Sequence, residues 1–519
     1  MSSEVQAKVS EQKAYRTKKA ALGLVEKSHK EQYSRVIDYA AKLKRVDPDT
    51  TVDIKCSFSN PGQCPVFKRM YVCLGACKMG FISGCRSLLG LDGCHLKSPY
   101  GGQLLSAVGL DANNTTWVVA YTMVEQESKD SWMWFLELLA KDINITSQGA
   151  GWTFISDKQK GILPAFERVL PYADHRFCVR HLWTNFNKKF PGKVLKDQLW
   201  AIAKSTTMAY FDKEMILMNQ MEPRAYKWIT DPLRPAKHWS RAHFNTVVKC
   251  DVLLNNLCES FNAFILPART KPVITMFEDI RVRLMKRVHT RRDKMMKIQD
   301  PICPKPREIL EKNKVKAATD CIPTGSGSAK IEVESIGGSK YVVDLQRRTC
   351  ACRRWDLSGI PCKHVVSTIY FMRLKPEDFV DPCYRTKTYM DIYSNTIKPV
   401  NGMDLWARTG NDAILPPRYN RQPGRPKNMR TKDAFEKATD GTKLGRIQNS
   451  LRCSNCGTLG HNIKTCHRHL PPKENISKKR KLNSGKGTSS TLQAKGTKKP
   501  PLTKDEKRAK LKKRAEKLK

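Results

Sequence analysis

The fold is decided between residues 86 and 176, by a stretch that opens with RSLLGLDGCHLK (86–97) and contains FISDKQKGI (154–162). Three apolar runs predict strands: SLLGLDG (87–93), with its strand ending near Asp92, then LLSAVGLD (104–111) and TTWVVAYTMVE (115–125). SWMWFLELLAKDI (131–143) has helical spacing, WTFISD (152–157) returns to strand, and GILPAFERVL (161–170) is helical again. The predicted order is therefore β-β-β-α-β-α.

This order brings two acidic residues together. Because crossovers between parallel strands are right-handed and short, the fourth strand is expected to return parallel beside the first. Asp92 and Asp157 then lie at neighbouring strand ends. Like charges held close together raise one pKa strongly, and a divalent cation with a preference for oxygen ligands relieves that repulsion. The pair therefore predicts a Mg²⁺ or Mn²⁺ site.

A third carboxylate is expected from NNLCESFNAFI (255–265). Leu257, Phe261, Phe264 and Ile265 form one helical face, which leaves Glu259 on another side, where it can face the metal site. The chain between Asp157 and Glu259 is too long for one loop and long enough for an inserted helical subdomain.

These sequence segments closely resemble those of the Mutator-like transposases of plants. The similarity covers roughly residues 65–410 and rests on LDGCHLKSPYGGQLLSAVGLDANN, VEQESKDSWMWFLELL, ISDKQKGI, HRFCVRHLWTNF and NNLCESFNAFI. The resemblance implies a ribonuclease-H-like catalytic domain with an Asp, Asp, Glu triad, which falls on Asp92, Asp157 and Glu259. The family's Cys-x-x-His pair falls on Cys178 and His181, for which a core contact and a zinc or DNA-positioning role are both open.

Composition indicates a nucleic-acid partner. The chain has 519 residues, with 94 Lys and Arg against 49 Asp and Glu, for a net charge of +45. Such an excess favours phosphate neutralisation and salt-sensitive binding. No apolar run is long enough for a membrane span, and the amino terminus lacks the apolar core of a signal peptide. The eighteen cysteines then suggest thiols and zinc ligands in a reducing compartment.

Two further segments are candidates for nucleic-acid contacts. The segment 182–250 reads as helical and carries several tryptophans, for which packing is favoured over stacking on a base. The helix TMFEDIRVRLMKRVHTRRDKMMK (275–297) has a basic side, on which Arg287, Arg291 and Arg292 are candidate phosphate contacts. A solvated charged face is the alternative for this helix.

A first zinc site is expected after two predicted strands. Cys350, Cys352, Cys362 and His364 follow the order C-x-C-x9-C-x-H, between a hairpin end and a helix start. Four such ligands suit a closed tetrahedral zinc site. The pattern resembles the SWIM zinc finger, which follows the catalytic domain in these transposases.

A second zinc site and a basic tail are expected towards the carboxyl terminus. Cys453, Cys456, His461 and Cys466 fit C-x2-C-x4-H-x4-C, typical of a CCHC zinc knuckle that holds single-stranded RNA or DNA. Before it, a GRPK segment with Arg425 and Lys427 resembles an AT-hook, with a basic linker as the alternative. The lysine-rich tail is expected to be disordered, and SKKRKLN (477–483) suits nuclear import.

The predicted architecture is an α/β ribonuclease-H-like core with an inserted helical subdomain, followed by a small ββα SWIM zinc module, a CCHC knuckle and a disordered basic tail. The expected boundaries are 1–64 for an N-terminal helical and linker region, 65–182 for the first part of the core, 183–250 for the helical insertion, 251–300 for core completion with the third acid and the basic helix, 301–328 for a linker, 329–375 for the SWIM finger, 376–450 for an extension with the AT-hook-like segment, 451–468 for the knuckle and 469–519 for the tail.

Two functional classes remain open from the sequence. The first is a transposase, or a protein derived from one, that cleaves and joins DNA at a Mg²⁺ or Mn²⁺ site and carries two structural zinc ions. The second resembles the far-red response transcription regulators, which are domesticated DNA-binding proteins. Both predict a nuclear protein with DNA as partner, either element ends or a promoter, and both are compatible with a homo-oligomer and with single-stranded nucleic acid at the knuckle.

Overall fold

The computed structural model describes residues 28–58, 64–159 and 161–417. The AT-hook-like segment with Arg425 and Lys427, the predicted knuckle and the basic tail lie outside the described residues. The four predicted knuckle ligands, Cys453, Cys456, His461 and Cys466, are therefore outside them as well.

A seven-stranded mixed sheet forms the main body, in the order β1-β2-β5-β4-β3-β6-β7. Its strands are β1 (Thr51–Ser57), β2 (Val66–Cys73), β3 (Leu88–His95), β4 (Gln103–Leu110), β5 (Thr116–Val124), β6 (Thr153–Ser156) and β7 (Asp174–Phe177). β3 pairs with β6 and β6 with β7 in parallel, whereas the other pairs are antiparallel. The predicted element order and the parallel return of the fourth predicted strand beside the first are thus confirmed.

Two expected boundaries in this sheet were wrong. β3 continues to His95 instead of ending near Asp92, because residues 90–95 pair with β4 throughout. β1 lies inside the region 1–64 that was expected to be helix and linker. It joins the sheet because it pairs along its whole length with β2, a long-range contact that local periodicity does not reveal.

Helices cover the sheet, and each buries an apolar face. Around the sheet lie α1 (Val36–Val46), α2 (Gly75–Gly84), α3 (Lys129–Asp142) and α4 (Ile162–Val169). α3 begins at a capping box formed by Ser128 and Ser131, and the apolar face predicted for it, which includes Trp132 and Phe135, is buried. Val36, Ala40 and Leu43 of α1 are likewise buried against the core.

The segment after β7 is helical and has a separate core. It contains α5 (Val179–Asn187), α6 (Lys193–Lys204), α7 (Met208–Met221) and α8 (Pro223–Ile229). Trp183 and Trp239 are buried in this core, while Trp200 and Trp228 are half-buried against it. Lys204 lies over the Trp200 ring and Arg234 over the Trp228 ring. The tryptophans therefore serve packing, as the sequence favoured.

The chain then returns to the sheet. α9 (Asn256–Phe264) contacts β3, β4 and β5, and the long α10 (Val273–Met296) follows it. Near the end of the described chain, α14 (Thr386–Ser394) packs on α2 and α10. Residues 255–264, which include α9, therefore lie against the part of the sheet where β3 carries Asp92.

The predicted linker 301–328 is instead structured. α11 (Pro304–Asp320) occupies most of it, with Leu310 and Ala317 buried one heptad apart, and β8 (Cys321–Gly325) pairs along its length with the next strand. A strand forms here despite the glycine and serine residues, because β9 supplies hydrogen-bond partners for the backbone of β8.

A second sheet has the order β11-β10-β9-β8. Its further elements are β9 (Lys330–Ser335), β10 (Lys340–Asp344), β11 (Thr349–Cys350), α12 (Arg354–Ser358) and α13 (Lys363–Phe371). The two predicted strands are β9 and β10, and the predicted helix is α13, so the expected ββα unit gains β8 and β11 at its edges. Within the described residues, no helix is both long and apolar enough to cross a membrane.

Candidate active site and zinc centre

The carboxyl ends of three adjacent parallel strands converge at one edge of the main sheet. The last parallel pair between β3 and β6 joins Gly90 to Ile155. If this register is extended by two residues, Asp92 lies opposite Asp157. Cys178 follows β7 directly, and its amide donates to the Ser156 carbonyl at 2.8 Å. Side chains at the carboxyl ends of neighbouring parallel strands share one crevice.

Asp92 is held by two hydrogen bonds. Its Oδ1 accepts from the Gly93 amide at 3.0 Å, and its Oδ2 accepts from Asn262 Nδ2 at 2.8 Å. Burial, and then the charges of Asp157 and Glu127, raise the pKa of Asp92 to about 7, against the opposing effect of His181. Asp92 therefore titrates close to neutral pH in the metal-free protein.

Two more carboxylates share this environment, and we refer to Asp92, Glu127 and Asp157 as the acidic cluster. Burial raises the pKa of Asp157, against the influence of His181. Burial, and then the charge of Asp157, raise the pKa of Glu127 to about 7. Sequence reasoning did not single out Glu127, although it stands in the word VEQES directly before a predicted helix. Its place in the sequence does not show in which direction the Glu127 side chain points.

Glu259 lies on α9, at the same edge of the sheet. Arg180 Nη1 donates to Glu259 Oε2 at 2.7 Å, and the Glu259 side chain is 28% exposed. Asn262, one turn later on α9, is the residue that contacts Asp92. The third predicted acid therefore lies on the helix that contacts the first, and it is engaged by an arginine of α5.

A glycine allows α9 to lie close to β3. A Cβ added at Gly90 would stand 2.5 Å from Asn255 Oδ1 and 3.1 Å from Cys258 Sγ. Asn255 Nδ2 also donates to the Leu91 carbonyl at 2.8 Å. The helix that carries Glu259 is thus fixed against the strand that carries Asp92 by direct backbone approach.

Cys178 is the N-cap residue of α5, and His181 lies in the first turn of that helix. The hydrogen bond with Cys178 raises the pKa of His181 to about 9, and the charges of Asp157 and Asp92 contribute to this rise. Burial opposes ionisation of Cys178, but the contact with His181 lowers its pKa overall. The Asn255 amide donates to Cys178 Sγ at 3.3 Å. The core contact and the zinc or DNA-positioning role that the sequence left open for this pair both stay predictions.

The carboxylates are spaced more widely than the ligands of one small ion. Among the described residues, one group of at least three Cys, His, Asp or Glu side chains has all its ligand atoms within 4.8 Å of one another. This group is the Cys/His set of the second sheet. The acidic cluster and Glu259 form no such tight group. Their oxygen donors suit hard divalent cations, and two-ion sites, with ions about 3.5–4 Å apart, spread their ligands more widely than one ion does.

The predicted zinc ligands Cys350, Cys352, Cys362 and His364 converge and are all buried. Cys350 Sγ lies 3.4 Å from Cys352 Sγ, which lies 3.5 Å from Cys362 Sγ. His364 Nδ1 lies 3.7 Å from Cys350 Sγ and 3.8 Å from Cys362 Sγ. A tetrahedron with zinc–sulfur bonds of about 2.3 Å has edges of about 3.8 Å, so the set fits zinc.

The surroundings of the zinc ligands fix their orientation. His364 Nε2 is 3.1 Å from Ser335 Oγ, and the Tyr341 ring stacks on the imidazole with a centroid distance of 4.0 Å. The Asp356 carboxylate accepts from the Cys350 amide at 3.1 Å. Such partners set the tautomer and direction of a metal-binding histidine and restrain the thiolates.

The zinc centre is joined to the helical segment through Arg353. Arg353 follows the ligand Cys352 and adopts a left-handed backbone conformation, with φ of 57°. Its guanidinium donates to the carbonyls of Thr206, Ala242 and Phe244. Thr206 Oγ1 in turn donates to the Cys352 carbonyl at 2.7 Å. The position of α6 and the segments after α8 therefore depends on a residue adjacent to the zinc ligands.

The basic face predicted on α10 is partly interior. Arg291 donates to the Thr116 carbonyl at 2.7 Å and to the Tyr393 hydroxyl at 3.1 Å. Arg287 lies 3.5 Å over the Phe264 ring, where burial lowers its pKa to about 10. Arg292 is half-buried. Arg291 is therefore engaged by β5 and α14, and Arg287 packs on Phe264 of α9, so neither presents a free guanidinium to phosphate.

Comparison with known protein families gives two matches. The model of the MULE transposase domain matches residues 88–185, which include Asp92, Asp157, Cys178 and His181. The chain contains a MULE transposase domain. The SWIM zinc finger model matches residues 341–371, which include the four zinc ligands. Together, the MULE domain and the SWIM finger are consistent with the Mutator-like transposase family. A search of curated proteins found no match to the chain.

Proposed function

We propose that this protein is a Mutator-like transposase, or a nuclear protein derived from one, whose MULE domain binds DNA and cleaves and transfers DNA strands with divalent cations. The observation that carries the proposal is the position of Asp92 on β3 and of Asp157 directly after β6, the parallel neighbour of β3, inside the matched domain. The strand order, three antiparallel strands followed by two parallel returns, supports assignment of residues 88–177 to a ribonuclease-H-like core.

Asp92, Asp157 and Glu259 are the residues that would hold the cations. Bound there, divalent cations supply activation of a water or a DNA 3′ hydroxyl and neutralisation of charge on the leaving oxygen. Asn262 orients Asp92 by its hydrogen bond, and Arg180 orients Glu259.

The protein adds positive charge of its own at this site. His181, with a pKa of about 9, is protonated at neutral pH and lies near both strand-end aspartates. Arg180 precedes it in the first turn of α5. These cations reduce the repulsion between the carboxylates and favour the approach of a phosphate group to the cluster.

DNA binding is proposed for the chain as a whole, on the basis of its net charge of +45 and the MULE and SWIM matches. The SWIM finger is proposed to hold a structural zinc ion that fixes the helical segment. The knuckle predicted from the sequence would hold a second one. Nuclear localisation is part of the same proposal, because DNA is the substrate.

The test is a nicking assay with the full chain on a supercoiled plasmid that carries the DNA flanking its gene. We expect Mn²⁺-dependent nicking that is lost in Asp92→Asn and in Glu259→Gln, while both variants still bind the plasmid. Asp391→Asn neutralises an exposed carboxylate and serves as the matched control. Tight DNA binding without nicking by the wild-type protein would refute the enzymatic proposal and favour a DNA-binding regulator.

A further inference from the structure

Ser156 forms a side-chain hydrogen bond at the point where β6 ends. The parallel pairing of β3 with β6 ends at Ile155, and β6 itself ends at Ser156, so Asp157 lies just past the strand. The Ser156 hydroxyl donates to the Asp157 carbonyl at 2.7 Å. Ser156 is fully buried, where a hydrogen bond is stronger than in water. The hydroxyl therefore fixes the peptide unit that leaves Asp157, which the pairing with β3 no longer holds.

A histidine of β7 completes this contact. His175 Nε2 lies 2.7 Å from Ser156 Oγ. A serine hydroxyl carries one proton, and Ser156 uses it on the Asp157 carbonyl, so its oxygen can only accept from the ring. His175 is therefore assigned the neutral tautomer with its proton on Nε2. Burial keeps the ring neutral at physiological pH, because it lowers the pKa of His175 to about 3.

The His175 ring is held from two parts of the protein. The Phe166 ring of α4 lies 4.4 Å from it and the Phe177 ring of β7 lies 5.1 Å from it, centroid to centroid. From the helical segment, His238 Nδ1 makes a hydrogen bond with the His175 carbonyl. The His238 ring also stacks on Phe177, with a centroid distance of 4.6 Å. These contacts direct the Nε2 donor of His175 at Ser156.

We propose that His175 is a positioning residue for the divalent-cation site, acting through Ser156 on Asp157. This inference rests on the proposed function, because it assumes that Asp157 holds a cation. Two consecutive hydrogen bonds run from the imidazole to the Asp157 backbone and fix the direction in which Asp157 leaves β6. Metal ligands bind well only within about 0.2 Å of the preferred distance, so a small rotation at Asp157 weakens cation binding.

The experiment compares variants that remove and restore the donor at position 175. His175→Phe keeps a ring of similar size without the donor. In His175→Gln the amide nitrogen stands about where Nε2 does, whereas in His175→Asn it stands about where Nδ1 does. Mn²⁺ binding to the full chain, loaded with zinc beforehand, is measured by titration calorimetry and by the electron paramagnetic resonance signal of free Mn²⁺. His175→Phe and His175→Asn are expected to raise the Kd for Mn²⁺ roughly 10-fold, and His175→Gln to bind like wild type.

A second set of variants tests the path through Ser156. Ser156→Ala is expected to raise the Kd as much as His175→Phe does. Combining the two should raise it no further, because the histidine then has no hydroxyl to act on. Thr153→Val is the matched control, since it removes from β6 a buried hydroxyl that has no hydrogen-bond partner among the described residues. It is expected to leave Mn²⁺ affinity unchanged.

Thermal melts in EDTA show which variants fold. His175→Phe and Ser156→Ala break the same path at different points, so either one that folds tests the role. A purely structural role of His175 predicts a lower Tm with an unchanged Kd for Mn²⁺.

The outcomes separate this inference from the proposed function. Unchanged Mn²⁺ affinity in folded His175→Phe or Ser156→Ala, together with lost binding in Asp92→Asn, would overturn the role of His175 and leave the cation site intact. Equally weak binding in His175→Gln and His175→Phe would also overturn it, because ring packing and not the donor would then matter. Wild-type affinity in Asp92→Asn would overturn the cation site itself. Weaker binding in His175→Phe that is recovered in His175→Gln supports the positioning role.

Discussion

Replacement of Asp92 by asparagine is expected to stabilise the metal-free protein at neutral and alkaline pH. The carboxylate is half-buried near Asp157 and Glu127, and its pKa is raised from 3.8 to about 7. At about 1.4 kcal/mol per pKa unit, this rise corresponds to about 4 kcal/mol of destabilisation when Asp92 is ionised. Solvent access to the side chain reduces the expected gain in the variant to about 2–3 kcal/mol.

The amide can replace the carboxylate without losing its partners. Its oxygen can accept from the Gly93 amide as Asp92 Oδ1 does. Asn262 now donates to Asp92, and its own Oδ1 is buried without a hydrogen-bond partner among the described residues. A flip of the Asn262 amide would let the new side-chain nitrogen donate to that oxygen, so the hydrogen bond between the two side chains is kept.

The pH dependence has a definite sign. Because the folded-state pKa of Asp92 lies above the unfolded-state value, the wild-type protein retains the related stability below about pH 4 and loses it as pH rises through 7. The advantage of Asp92→Asn should therefore be near zero at pH 4, grow between pH 4 and 7, and remain constant above. Thermal melts in EDTA at pH 4.5 and pH 8 measure it, with an expected rise in Tm of about 5 °C at pH 8.

Asp391→Asn is the matched control, because it neutralises an exposed carboxylate. It should change Tm little, with no pH trend. Equal or lower stability of Asp92→Asn at pH 8, or the same gain at both pH values, would refute the reasoning from burial and like charge. Added Mn²⁺ should reverse the order, because it stabilises the wild-type protein in proportion to its binding and the variant much less.

Three further changes test the zinc centre and the contact between α9 and β3. Cys362→Ser should remove one zinc equivalent, measured by metal analysis of the purified chain, because the tetrahedral set loses a thiolate. Arg353→Ala should lower the free energy of unfolding by about 2–4 kcal/mol, measured by urea denaturation, because three carbonyls lose a charged donor. Gly90→Ala should cost about 1–3 kcal/mol in the same assay, because its Cβ meets Asn255 Oδ1 at 2.5 Å.

Each change has a matched control. Cys321→Ser alters a half-buried thiol at the start of β8 and should keep the full zinc content. Arg354→Ala removes an exposed neighbouring arginine, and Gly402→Ala adds a Cβ in open space, so neither should alter stability by more than about 0.5 kcal/mol. Equal effects of a variant and its control would contradict the corresponding contact.

The zinc ligands and the strand-end aspartates were predictable for a local reason. The four ligands lie within fifteen residues, so short-range geometry alone brings Cys350 and His364 near each other. The helix after the third predicted strand forces a parallel crossover, which sets Asp157 beside the strand of Asp92. Spacing and handedness are sufficient in both cases.

Other residues were misjudged or missed because non-local packing directs their side chains. The sequence of α10 predicted arginines that face solvent or phosphate. In the structure, Arg291 donates to the Thr116 carbonyl of β5, and Arg287 packs on the Phe264 ring. The glycine- and serine-rich segment around 321–328 read as a linker, but β9 pairs with its first half. Periodicity describes one element at a time, and these contacts join elements that lie far apart in the chain.

The order of strands and helices, the zinc ligand set and the neighbouring positions of Asp92 and Asp157 could be predicted from the residues alone, because each follows from short-range periodicity or crossover handedness. The position of Glu127 over Gly93 and the pairing of Arg180 with Glu259 could be seen in the folded protein alone. Those directions depend on which backbones approach each other, through Gly90, Gly161 and the loop after Asp157, and such approaches are set by the packing of the whole core.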